Sequence, residues 1–256
     1  MDVLVCVKRV PMVGGRIALQ PDQRHIDTTL LGFTVSPHEE CAVEEAVQVT
    51  EAHGGEVTVL TLGPPEAAEQ LRAAVSVGAA SAVLLPTEEE GLGPIATARA
   101  ITSAVTRLER ERSRVFDLVM FGNEAADTGD YQVGIRVAHA LGRAVATGVK
   151  QLEVTAGEAV ARREYRGAEE LFRLPLPAVV TVKEGINLPR YPSLPGRMRA
   201  KKATIVTFVP ETPDEAVEMR TLRVPTSERR SAEVLGHGKE AVPALVSLLE
   251  KMGVVS

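Results

Sequence analysis

The chain has 256 residues, 45% of them hydrophobic, and its 29 Lys and Arg against 34 Asp and Glu leave a net charge of −5. That content builds a full core, as one large domain or one domain with an appendage. The acidic balance, the 3% aromatic content and the absence of Trp argue against nucleic acid as a partner, and with no tract of 18 apolar residues no membrane insertion is expected.

The opening segment MDVLVCVKRVPM reads as a strand and lacks the layout of a signal or transit peptide, which points to a cytoplasmic protein. Cys6 and Cys41 sit in apolar company without CxxC spacing, as reduced thiols do, and the five His lack metal-ligand spacing. In chain order, VLVCVKRV over 3–10 predicts a buried strand. SPHEECAVEEAVQVTEAHGG predicts a helix with both ends marked: Ser36 as N-cap, Pro37 at the first position, Glu39 three residues after the cap, and Gly54 and Gly55 as the stop. EVTVLTLG, ASAVLLP and FDLVMFG predict further strands, alternating with helices over PEAAEQLRAAVSVG, IATARAITSAVTRLERE and YQVGIRVAHALG. This alternation implies right-handed crossovers and an α/β fold around an open, mostly parallel twisted sheet with helices on both faces.

From about Gly148 the pattern becomes that of short antiparallel strands around the turn TAGE, a small β-hairpin region (150–175) that returns to the sheet through PAVVTV. A proline-rich loop, EGINLPRYPSLPGRM, precedes a last strand in RAKKATIVTFVP, which closes an α/β domain over 1–208. In the remainder, 209–256, segment 211–231 holds Pro and charge with weak periodicity, and KEAVPALVSLLEKMGVV forms an amphipathic helix. Two readings of this tail fit equally: an arm reaching a partner, or a helix folded back on its own domain.

The stretch GNEAADTGDYQVG (122–134) stands where a strand becomes a helix. In an open parallel sheet, ligands sit outside the carboxyl ends of the strands, and a helix that starts there offers unpaired N–H groups and a positive dipole end to an anion. Gly122, Gly129 and Gly134 would allow close backbone approach and positive φ, and Thr128 and Gln132 could donate to phosphate oxygens. Asp127 and Asp130 would repel a phosphate unless one caps the helix or meets a ribose hydroxyl. The stretch is neither a P-loop nor a GxGxxG fingerprint, and the plainer reading is a glycine-bearing loop with Asp130 as a simple cap. His38 and Glu39 suit the cap and dipole of their helix better than an acid/base pair, His139 reads as packed or surface, and no catalytic group or GxSxG elbow is identified.

Six pieces in register, VLVCVKRVP, SPHEECAVEEAV, GGEVTVLTLGP, FGNEAADTGDYQVG, LPLPAVVTV and INLPRYPSLPGRMRAKK, resemble the β (small) subunit of electron-transfer flavoprotein along nearly the whole chain. The resemblance implies a Rossmann-like, adenine-nucleotide-hydrolase-like domain in a heterodimer whose α subunit holds most of a redox-active FAD, while this subunit carries AMP. The AMP site would comprise Cys6, Ser36, Pro37, His38, Glu39, Leu62 and Gly63. It would continue through the whole stretch Gly122, Asn123, Glu124, Ala125, Ala126, Asp127, Thr128, Gly129, Asp130, Tyr131, Gln132, Val133 and Gly134. Members often have Asn where Ser36 stands, and DTGDYQVG replaces a more usual DGDTxQVG.

The resemblance also implies a recognition loop over 184–200 docking an acyl-CoA dehydrogenase through Leu194, with Tyr191, Pro195 and Met198 beside it; the alternative is that Leu194 packs under its own loop. Arg163 and Glu164 match a signature region and would form an inter-subunit or domain-orienting ion pair, the alternative being an exposed hairpin salt bridge. Arg166 and Ala168 depart from that signature, as do Met12 and Val13 near the N-terminus, where Val13 would give the flavin apolar packing only. The implied role is an electron carrier without substrate turnover of its own, passing electrons from acyl-CoA dehydrogenase-type flavoproteins in fatty acid β-oxidation, through the α-subunit FAD, to a quinone oxidoreductase. Two alternatives stay open: a bifurcating type with a second FAD in place of AMP, and a free-standing nucleotide-binding regulatory protein.

Overall fold

The computed structural model describes residues 1–12, 14, 17–87, 92–209, 219–224 and 232–255. Val13 and most of segment 211–231, each given a role above, lie outside them. The chain divides into two units, Met1–Thr221 and Leu222–Ser256.

The first unit is built on a seven-stranded sheet. Its centre is β1 (Val3–Cys6), four buried apolar residues paired in parallel on both sides, as a strand covered on both faces requires. The strand expected over 3–10 ends at Cys6 because the Lys8 N–H leaves the ladder for the Glu39 carboxylate. Val10 then belongs to a separate antiparallel pair, β2 (Val10–Pro11) with β3 (Phe33–Thr34).

Next come α1 (Pro37–His53), β4 (Val57–Gly63), a short 3₁₀ turn (Pro65–Ala67), α2 (Ala68–Val77), β5 (Ser81–Pro86), α3 (Pro94–Arg112), β6 (Leu118–Gly122) and α4 (Val133–Leu141). Alternate strand residues feed two cores. Val3, Val5, Val57 and Val59 pack with α1 and α2 on one face; Leu4, Leu60 and Val119 pack with α3, α4 and Phe116 on the other.

Beyond α4 the chain forms β7 (Ala144–Val149), then the antiparallel β8 (Gln151–Thr155), β9 (Glu158–Tyr165) and β10 (Ala168–Pro175), and returns through the buried β11 (Ala178–Val182). β7 is an edge strand of the main sheet, a place the sequence reading did not assign to it. Arg166 and Gly167 turn β9 into β10, both at positive φ (50° and 79°), as a two-residue hairpin demands.

The proline-rich segment is shorter than expected. Ser193 accepts the Gly196 N–H at 3.1 Å and caps α5 (Leu194–Lys202), so Leu194, Pro195 and Met198 are helical and only Tyr191 of that group lies in the loop. β12 (Ile205–Thr207) completes the sheet in the order β12-β5-β4-β1-β6-β11-β7, all of it parallel. In the second unit a 3₁₀ turn (Gly238–Ala241) leads into α6 (Val242–Lys251), which carries Val242, Leu245, Val246 and Leu248.

α5 is seated on the end of α2. The Arg199 Nη2 donates to the Val75 carbonyl at 3.1 Å, and a Cβ at Gly196 would stand 2.1 Å from the Ser76 carbonyl oxygen. Backbone at that distance cannot yield as a flexible side chain would. Gly196→Ala is therefore expected to lift α5 and lower unfolding stability by about 1–3 kcal/mol; a urea titration of purified variant and parent checks this, and an unchanged midpoint would refute it.

Candidate functional site

The strand order reverses between β1 and β6: the chain passes from β1 to β4 and β5 on one side, whereas β6 pairs with the other edge of β1. A crevice at such a reversal, outside the carboxyl ends of the strands, is where open α/β sheets hold ligands. Here it is framed by Cys6 at the end of β1, the first turn of α1 with Ser36, and residues 122–134 after β6. Leu62 and Gly63 end the next strand over, β4.

The two helix N-termini at this crevice differ. α1 satisfies its own donors through a complete capping box. The Ser36 hydroxyl oxygen accepts the Glu39 N–H at 3.3 Å, and Glu39 Oε2 accepts the Ser36 N–H at 3.1 Å. Glu39 Oε1 takes the Lys8 N–H at 3.0 Å, and the Ser36 hydroxyl donates to the Glu124 carbonyl at 3.2 Å. α4 starts from Gln132 with no side-chain cap among the described residues. Asp130 is not its cap, and the Gln132 Oε1 instead accepts from the Arg136 guanidinium at 2.8 Å. The first-turn N–H groups of α4 are thus left without a capping side chain among the described residues.

The repulsion expected from Asp127 is answered within the chain, since its carboxylate lies 2.8 Å from Lys8 Nζ and accepts the Thr128 N–H at 2.8 Å. Among the glycines of 122–134, only Gly129 (φ 60°) needs left-handed backbone, followed by the non-glycine Tyr131 at 55°. Gly122 and Gly134 serve close approach to their own chain. A Cβ at Gly122 would stand 2.7 Å from Glu39 Cγ, and one at Gly134 would stand 2.7 Å from Thr181 Cγ2. Asn123 pins the end of β6 to β11 by donating its N–H to the Val182 carbonyl and accepting the Thr181 hydroxyl. Ala125 accepts the Gly129 N–H in the turn that carries Ala126, and Val133 packs on the α3/α4 core.

His38 does not serve the cap. Its Nδ1 accepts the Glu184 N–H at 2.9 Å, so the proton of the neutral ring is on Nε2, which faces Glu124 Oε1 at 3.3 Å. Cys6 and Cys41 are buried free thiols, and burial, with the Glu39 charge second, pushes the Cys6 thiol well up. It is held as a thiol and is not a nucleophile. A groove of about 740 Å³ lies between α3 and α4, lined by Ile95, Ala98, Ile135, Arg136 and His139 and reaching Gln132, one of the residues expected at the nucleotide site.

Away from the crevice, Tyr191 is 94% exposed, Leu194 76% and Met198 50%, so Leu194 does not pack under its own loop. Leu188, which the sequence reading had passed over, is 90% exposed. Arg163 finds its partners within the chain: Glu170 at 2.6 Å across the β9/β10 ladder and the Thr147 hydroxyl at 3.0 Å on β7. Its guanidinium also lies over the Phe172 ring. Adjacent Glu164 points to the opposite sheet face, so the two are not partners of each other. Among the described residues no group of His, Cys, Asp or Glu is placed to hold a metal ion, and no helix is long and apolar enough to cross a membrane.

Burial pushes the Glu39 carboxyl up to about 8, against the opposing pull of the Ser36 and Lys8 N–H groups. Burial thus favours the neutral acid at this position. An acid whose folded value is raised contributes stability that is full below its ordinary 4.5 and is lost as pH rises through about 8. The urea midpoint is accordingly expected to fall between about pH 5 and about pH 9, and Glu39→Gln, a permanent mimic of the neutral acid, should flatten that fall. The same slope in parent and variant would place the titration elsewhere.

A family model described as the electron transfer flavoprotein domain matches residues 25–213. The chain is 34% identical to electron transfer flavoprotein subunit beta of Bacillus subtilis, over 97% of each chain. It is 34% identical to the corresponding human subunit, over 99% of this chain and 98% of that one. Protein FixA of Sinorhizobium fredii is 32% identical over 81% of this chain and 74% of its own. With a Rossmann-like α/β domain and matches of this length, the chain belongs to the electron transfer flavoprotein family, on the side of its beta subunits.

Proposed function

We propose that this chain pairs with an electron transfer flavoprotein α subunit, holds AMP in the β1/β6 crevice and docks acyl-CoA dehydrogenase-type flavoproteins, from which electrons pass to a quinone oxidoreductase. The observation that carries the nucleotide reading is the uncapped start of α4 at the point of strand reversal, beside a carboxylate already paired with Lys8 and a Glu39 that burial favours as the neutral acid. An anion is favoured there by the uncapped N–H groups and the positive helix end, with the charge of Asp127 offset by Lys8. The chain's polar groups frame a ligand without offering chemistry. The Cys6 thiol is buried and protonated, and His38 is committed to Glu184 and Glu124.

FAD, bound mainly by the α subunit, would supply the electron-transfer chemistry. This subunit would position the flavoprotein and present the docking surface around Leu194, with no substrate turnover of its own. An exposed leucine held at a capped helix start is preorganised for an apolar pocket.

Coexpression with the α subunit, followed by acid release, is expected to yield one FAD and one AMP per heterodimer. Two FAD would replace this reading with the bifurcating type, and a lone chain without nucleotide would overturn it. Leu194→Ala is expected to raise the KM for the heterodimer in electron transfer from a reduced acyl-CoA dehydrogenase about tenfold; an unchanged KM would remove the docking claim while leaving the nucleotide claim intact.

A further inference from the structure

Between β11 and α5 the chain turns at Gly185 and then runs alongside α1. Asn187 and Arg190 face α1, whereas Glu184 and Ser193 are exposed and contribute through the Glu184 N–H and the Ser193 hydroxyl. The Glu184 N–H donates to His38 Nδ1 at 2.9 Å. The Asn187 side-chain amide donates to the Cys41 carbonyl at 3.0 Å and to Glu45 Oε2 at 2.9 Å. Arg190 reaches Glu44 and Glu51, and Ser193 caps α5. On α1 the receiving residues, His38, Cys41, Glu44, Glu45 and Glu51, recur at helical spacing along one face.

Leu188, Tyr191 and Leu194 recur every three residues, the period of the polyproline II helix, with Pro189 and Pro192 between them. All three face out, at 90%, 94% and 76% exposed. They form one apolar stripe. Arg197, Lys201 and Lys202 lie exposed on α5, the helix that Leu194 begins, in a chain whose net charge is −5.

Arg190 is the strongest of the inward anchors. Its Nε and Nη2 meet the two Glu44 oxygens at 2.9 and 3.0 Å, while Nη1 and Nη2 meet the two Glu51 oxygens at 2.7 and 2.9 Å. Its own N–H also reaches Glu44 at 3.1 Å. Both edges of the guanidinium are thus engaged by carboxylate forks, a geometry open to arginine and closed to lysine. The Glu44 side chain is only 5% exposed, so this contact is fixed to the body of α1. Burial alone would raise the Glu44 carboxyl, but the Arg190 and Gln48 hydrogen bonds hold it below its ordinary value.

We propose that the partner reads Leu188, Tyr191 and Leu194 as one stripe, with Leu188 an apolar contact in addition to Leu194, and that Arg190 is the positioning residue that holds this stripe in place on α1. The inference rests on the reading that this segment docks a flavoprotein dehydrogenase. It specifies that partner's surface as an apolar cleft with acidic groups at its rim, complementary to the exposed arginine and lysines of α5. Preorganisation by Arg190 lowers the ordering cost of docking without touching the electron-transfer step.

The test uses the heterodimer and an acyl-CoA dehydrogenase reduced by its acyl-CoA substrate, with KM for the heterodimer and kcat read separately. Arg190→Lys, and the double variant Glu44→Gln with Arg190→Gln, which strands no buried charge, are expected to raise KM about tenfold at unchanged kcat and unchanged nucleotide content. Leu188→Ala should raise KM several-fold, and amide exchange over 184–193 should quicken in the Arg190 variants only. If Leu194→Ala raises KM but the Arg190 variants and Leu188→Ala do not, this inference fails and the docking reading stands. If none of them moves KM, both fail. A fall in kcat at constant KM would also overturn the proposal, since Arg190 would then act on electron transfer and not on docking.

Discussion

The carboxyl of Glu39 is the point on which the crevice is assembled. It closes the cap of α1 through the Ser36 N–H, draws the Lys8 N–H out of the β1 ladder, and lies under Gly122, where any Cβ would collide with it. Three segments far apart in sequence, the exit of β1, the start of α1 and the end of β6, are therefore set against one another by one side chain. Such a group, 6% exposed, is costly to bury charged, and its burial favours the neutral acid. Lys8, turned outward by the same contact, then reaches Asp127 on the loop after β6 and closes the frame.

From that frame α1 extends as a rigid mount, and its polar residues are spent on position. Its first turn shapes the crevice, His38 connects the crevice loop at Glu124 to the chain after β11, and Glu44, Glu45 and Glu51 receive the segment that follows. The opposite side of the helix, with Ala42, Val43, Ala46 and Val47, is buried in the core. The sparse amphipathicity of α1 follows from this: three of its buried residues are glutamates, each with a donor assigned to it. Burial of such groups is tolerable only when they are hydrogen-bonded, which ties the placement of the segment to the integrity of the helix.

The elements whose signals are local were legible in sequence. Ser36, Pro37, Glu39 and Gly54 marked both ends of α1, and the glycine-bearing passage from β6 to α4 marked the crevice. β7 was missed because Ala144–Val149 is made of small residues joined directly to a helix by Gly142, with no apolar run to distinguish it. The start of α5 is hidden in a proline-rich segment that reads as a stiffened loop, although Ser193 followed by Leu194 and Pro195 is a helix-start signal. What no local pattern could show is pairing across distance. Lys8 and Asp127 are 119 residues apart, and Glu44 and Arg190 are 146 apart. The roles of Gly122 and Gly134 are of the same kind, since only the packed neighbours, Glu39 and Thr181, reveal what glycine is for at each.

The contrast between the two helix starts at the crevice decides how the chain divides its polar groups. A capping box consumes donors that a ligand would otherwise meet, and it stabilises its helix by roughly 1 kcal/mol. α1 takes that stabilisation and becomes the mount; α4, a helix of nine residues whose Val137 and Ala138 are anchored in the core, forgoes it. A helix start left without a cap is a local loss of stability unless something else satisfies its N–H groups. A bound anion would do so with a charge the dipole favours. The same ligand would thus hold α4, and with it the β6 loop carrying Glu124 and Asp127, against α1. On this reading the nucleotide is a structural part of the crevice, bound where the chain has left its own hydrogen bonding incomplete.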